Sequence, residues 1–76
     1  MRPTETTQAV INGRLSLSDA PPWARPSVEF WLYRQALWVS MGVTREARRS
    51  RLAECPELWR ERIESEAREL YQRRRL

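Results

Sequence analysis

This 76-residue sequence predicts a small α+β domain, mainly helical, in which an N-terminal β-hairpin packs on a three-helix core. Three observations carry that prediction. Asn12-Gly13 lies between two short apolar runs, a strong hairpin signal because a type I′ turn needs positive φ at both central residues. Three later segments repeat apolar residues at helical spacing and are separated by Gly42 and Pro56. The composition, 41% hydrophobic and 32% charged, holds enough apolar surface for one small core and is not that of a disordered chain.

Residues 1–7 carry Pro3, Glu5 and threonines at positions 4, 6 and 7, and read as a flexible tail. The hairpin is expected over residues 8–17. In its register Ile11 faces Arg14 and Val10 faces Leu15, so Val10, Leu15 and Leu17 share the face that lies on the helices. A lone two-stranded hairpin is marginal in water and needs that support. The bland alternative is that Asn12-Gly13 is only a loop turn. Residues 18–26 form a stiff connector, because Pro21, Pro22 and Pro26 forbid regular strand pairing. Asp19 can cap a short turn there, and Trp23 is expected over one end of the core.

The first helix is expected over about residues 26–41, with Pro26 in its first turn and Gly42 as its stop. Phe30, Tyr33, Leu37 and Met41 form one apolar stripe. Val28, Leu32 and Val39 form a second on nearly the opposite side. A helix apolar nearly all round is usually buried, so this one is expected at the centre, with the hairpin on one side and the other helices on the other. The second helix, residues 45–54, has Thr44 as N-cap, Glu46 suited to the helix dipole, and only Ala47, Leu52 and Ala53 as apolar members. The third, residues 57–74, places Trp59, Ile63, Ala67, Leu70 and Tyr71 in one arc. Glu64–Arg68 and Glu69–Arg73 stand at i,i+4 on its outer face, each worth a few tenths of a kcal/mol.

All fourteen basic residues are arginine; there is no lysine or histidine, four residues are tryptophan, and the net charge is +4. Codon bias alone can remove lysine, but Arg and Trp are also the types most enriched at interface centres. The excess charge favours acidic partners such as nucleic acid or acidic protein surfaces. Without histidine, and with two glycines, the chain has neither His-based nucleophile activation nor a phosphate-cradling loop. No catalytic residue, cofactor or metal site is expected. Cys55 is the single cysteine, so no intrachain disulfide or zinc site is expected and a reducing cytoplasm is the expected compartment. A thiol directly before a helix start can have a lowered pKa, although a structural thiol is the favoured reading. No membrane span or signal peptide is read.

Three features point to binding. Arg45, Arg48, Arg49 and Arg51 crowd one short helix, with the first three on one face that suits a phosphate backbone or an acidic patch; a solvated connector is the alternative. Base reading is not expected, because that helix offers no Asn or Gln near its start. Trp31, Arg34 and Trp38 lie close together between the two stripes of the first helix, as an interface anchor if exposed or as core with Arg34 reaching out. The third is the Arg73-Arg74-Arg75-Leu76 terminus, read mainly as a solvated helix end.

The Asn12-Gly13 turn, the Trp23-Ala24-Arg25-Pro26 lead-in to an aromatic helix and the Arg48-Arg49-Ser50-Arg51 segment resemble, in overall character, the small regulatory proteins that bacteriophages make early in infection. Within that group the chain is similar to proteins that bind host RNA polymerase to inhibit initiation or suppress termination. The resemblance implies a non-enzymatic regulatory protein acting in the host bacterial cytoplasm; a monomer or weak dimer is expected, self-association being left open by the long third helix and any exposed aromatic area. It transfers no binding residue, and the Arg-rich RNA-binding arm of some phage antiterminators is absent. Direct DNA or RNA binding, and inhibition of a host nucleoprotein complex in the manner of anti-CRISPR proteins, stand as the alternatives.

Overall fold

The computed structural model describes residues 3–75, with the side chains of Pro3 and Arg75 left aside. Among the described residues there are four helices and no strand: α1 (Pro3–Ile11), α2 (Ala24–Ser40), α3 (Arg45–Glu54) and α4 (Glu57–Arg75). The α+β class and the hairpin over residues 8–17 are therefore incorrect; the fold is all-α. Met1 and Arg2 of the expected tail, and Leu76 of the basic terminus, lie outside the described residues.

The error sits at Asn12-Gly13. Gly13 has φ of +79°, but no described non-glycine residue has positive φ, so Asn12 cannot occupy the first central position of a type I′ turn. The dipeptide instead ends α1. The Gly13 N–H donates to the Val10 carbonyl at 3.1 Å and the Arg14 N–H to the Ala9 carbonyl at 2.9 Å, the paired closure of a Schellman motif around a left-handed C′ glycine. One glycine conformation serves a hairpin turn and a helix stop equally, so the local signal cannot separate them. Burial does. A helix brings Thr6, Val10 and Ile11 onto one face, and all three are buried; a strand would send Val10 and Ile11 to opposite faces. Residues 3–7, expected as a tail, form the start of this helix.

Helix α2 packs most extensively on α4 and also touches α1 and α3. Its buried face is Ala24, Val28, Leu32, Ala36, Val39 and Ser40, and α4 answers with Ile63 and Ala67. The alanines let the helix backbones approach closely. Leu32, Ile63, Val10 and Val28 are the largest fully buried side chains, each contributing about 1.5–3 kcal/mol by leaving water. Leu15 and Leu17 also pack on this core, so the three residues expected to face inward from a hairpin do reach the core, by way of a helix end and a loop. Trp59 is half-buried, and its Nε1–H donates to the Ile11 carbonyl at 2.9 Å, tying the end of α1 to α4 through a carbonyl that lacks an intrahelical donor.

Of the second stripe of α2, Leu37 is half-buried and the other three residues are open. Phe30 is 62% exposed, Met41 53% and Tyr33 47%. The helix was expected to be covered on both sides, by the hairpin on one and the other helices on the other; instead the residues expected in the hairpin pack on the Val28–Leu32–Val39 side, as α1 and its loop. The molecule is elongated, 40 × 23 × 17 Å, and among the described residues no element lies over this stripe. Trp23, expected over the core, is 47% exposed.

The helix ends follow the sequence closely. Thr44 Oγ1 accepts the Ala47 N–H at 3.0 Å, so α3 starts where the N-cap predicts. Glu64–Arg68 and Glu69–Arg73 pair at 3.0 and 2.8 Å. At the α2–α3 corner Gly42 allows a close approach: a Cβ there would lie 2.7 Å from Arg48 Cγ and 2.9 Å from its backbone nitrogen.

Candidate functional site

The four arginines expected to act together divide into two pairs. Arg48 Nη1 donates to the Gly42 carbonyl at 3.0 Å, and its guanidinium stacks 4.3 Å from the centroid of the Tyr71 ring. Arg51 Nη1 donates to the Trp38 carbonyl at 2.6 Å, with its guanidinium 5.3 Å from the Trp38 ring. Both satisfy carbonyls at and just beyond the C-terminus of α2, where helix carbonyls lack donors and the helix dipole favours a cation. Arg60 of α4 does the same for α3, holding the Ala53 and Cys55 carbonyls at 3.1 and 2.9 Å. Part of the arginine signature is thus helix capping across tertiary contacts. Arg45 and Arg49 are exposed and make no hydrogen bond or ion pair among the described residues.

Arg45 and Arg49 flank a groove of about 250 Å³ between α3 and α4. Its floor is Val39, Leu52 and Ala67, from three different helices. Arg45, Arg48 and Arg49 form the α3 side, and Glu64, Arg68 and Tyr71 the α4 side. Because Glu64 is paired with Arg68 at 3.0 Å, the α3 arginines face no free carboxylate in the groove. Sequence reasoning missed Arg68, Tyr71 and the apolar floor. A signal was present: Arg45, Arg48/Arg49 and Leu52 recur at i, i+3/i+4 and i+7, one helical face that is apolar at one end and basic at the other.

The second predicted group separates differently. Trp31 is half-buried and packs against the core, whereas Trp38 is 39% exposed. Arg34 is exposed, but its guanidinium lies 5.9 Å from the Phe30 ring instead of between the two indoles. Phe30 and Gln35 join Trp31, Arg34 and Trp38 around a shallow cleft; neither was expected there, since Phe30 was assigned to the core. The Arg51–Trp38 stack connects the two predicted groups, which the linear sequence keeps apart.

Cys55 is buried, with Sγ 3.8 Å from Gln35 Oε1 and 3.5 Å from the Arg51 carbonyl. Burial pushes the thiol pKa up, against the opposing pull of Arg60, so the activated-thiol alternative is not met. Among the described residues no three His, Cys, Asp or Glu side chains gather as metal ligands, and no helix is long and apolar enough to cross a membrane. No protein family, curated protein or solved structure matches the chain.

Proposed function

We propose that this chain is a non-enzymatic binding protein of the bacterial cytoplasm that regulates a larger nucleic-acid-handling assembly by docking through the open face of α2. The observation that carries this reading is that Phe30, Tyr33 and Trp38 on α2, and Met41 at its C-cap, are all exposed. Contiguous exposed aromatic and thioether side chains are uncommon on monomeric proteins and mark interaction sites.

RNA polymerase is the first candidate partner, on the resemblance to phage regulators. Direct nucleic-acid binding is a weaker reading, because Arg48 and Arg51 are engaged within the chain. The test is interferometry of the immobilised chain with purified bacterial RNA polymerase core and holoenzyme, compared with a Phe30→Glu/Met41→Glu variant. Binding is expected to weaken at least about tenfold, or 1.4 kcal/mol, in a variant that keeps wild-type helicity. No binding to either polymerase form overturns that partner. Binding unchanged by the double substitution overturns α2 as the docking face.

A further inference from the structure

We propose that the groove between α3 and α4 is a second binding site, distinct from the α2 face, for an acidic amphipathic helix that places one hydrophobic side chain between carboxylates. The rim and floor each constrain the ligand. Arg45 and Arg49 stand one helical turn apart, exposed and without partners among the described residues. That spacing, about 6 Å, equals the separation of i,i+4 carboxylates on a facing helix. Guanidinium groups take carboxylates through paired donors. Arg48 is held by the Gly42 carbonyl and the Tyr71 ring, so the rim's capacity for carboxylates lies with Arg45 and Arg49. The carboxylate that lines the groove, Glu64, is held by Arg68, which leaves Arg45 and Arg49 open to a carboxylate from outside the chain.

The floor distinguishes a protein from a nucleic acid. Leu52, half-buried, offers an aliphatic surface above the nearly buried Val39 and Ala67 that a phosphodiester backbone has no group to cover. A base inserted there would stack on an aromatic ring, but the ring in this groove, Tyr71, already carries Arg48 at 4.3 Å. A leucine or phenylalanine side chain covers the floor, and carboxylates one turn apart reach the rim.

The experiment uses the full chain and a fluorescein-labelled helical peptide of about 16 residues, made of Ala with Glu at i,i+4 positions and a central Leu. Three comparisons run beside it: the same peptide with Leu replaced by Gln, an oligothymidine of equal charge, and the Arg45→Glu/Arg49→Glu variant. Both arginines are exposed, so the variant is expected to keep the wild-type melting curve, and methyl NMR of Val39, Leu52 and Ala67 locates binding independently of it. Expected are saturable binding with shifts at those methyls, a loss of at least about tenfold on reversing the two charges, and at least about fivefold weaker binding of the Gln peptide. Equal binding of the Gln peptide, methyl shifts confined to the α2 face, or oligothymidine competing as well as the Leu peptide would each overturn the proposal. So would the lack of saturation at millimolar peptide.

Discussion

Leu32 and Phe30 lie two positions apart on α2, are similarly apolar, and sit in opposite surroundings. Leu32 is fully buried, whereas Phe30 is 62% exposed. Truncating Leu32 to Ala removes buried methyl groups and leaves a cavity between α2 and α4, which costs about 2–5 kcal/mol in comparable cores. A chain of this size has a total stability of only about 4–11 kcal/mol, so Leu32→Ala is expected to consume about a fifth of it at least. For Phe30, about 40% of a ~200 Å² side chain is covered, so roughly 80 Å² at ~25 cal/mol/Å² gives an upper bound near 2 kcal/mol. Alanine returns about 0.5 kcal/mol as the better helix former, leaving Phe30→Ala at about 1.5 kcal/mol or less. Urea unfolding followed by far-UV circular dichroism, with slopes checked for equality, measures both. Thermal midpoints should differ clearly, since each kcal/mol moves a domain this small by about 4–8 °C. Equal destabilisation by the two substitutions would refute the reasoning, because it would mean that α2 is packed on both faces.

Thr44→Ala removes the acceptor for the Ala47 N–H and should lower stability by about 1 kcal/mol; a denaturant midpoint within error of wild type would show that α3 does not need its cap. Gly13→Ala forces a side chain into a backbone of φ +79° and against Leu58 Cδ2 at 3.1 Å. A loss of about 1–2 kcal/mol is expected, with faster hydrogen exchange at Trp59 Nε1–H as its bond to Ile11 loosens, and unchanged exchange at that indole contradicts the Schellman assignment. Burial raises the Cys55 pKa, so its contribution is complete below the unfolded-state value near pH 9. Above that pH the unfolded chain loses its thiol proton first, and stability falls until the folded thiol titrates as well. The fall should be smaller in Cys55→Ala, and an identical pH profile would contradict it.

Much of the fold is legible residue by residue. The bounds of α3 and α4, the Thr44 cap, the two i,i+4 ion pairs and the inward stripe of Val28, Leu32 and Val39 follow from the sequence, because each depends on groups within a turn or two of one another. The candidate site was legible in membership but not in arrangement. Arg45, Arg48, Arg49 and Arg51 were recognisable as a cluster. That Arg48 and Arg51 hold carbonyls beyond the start of their own helix depends on where α2 ends in space, six and thirteen residues back along the chain.

Two matters were decided only by tertiary structure, and both concern partners distant in sequence. Asn12-Gly13 suits a hairpin or a helix stop, and the choice went to the helix because only a helix buries Thr6, Val10 and Ile11 together. Helix α2 carries two apolar stripes, and periodicity says that both want cover without saying which will get it. Residues of α1 and α4 both pack on the Val28–Leu32–Val39 side, and no described element covers Phe30, Tyr33 and Met41. The sequence by itself determined where helices start, stop and turn their apolar faces. Tertiary packing decided which face of α2 is buried and which is left open, because Val10 of α1 and Ile63 and Ala67 of α4 all meet the same side of it.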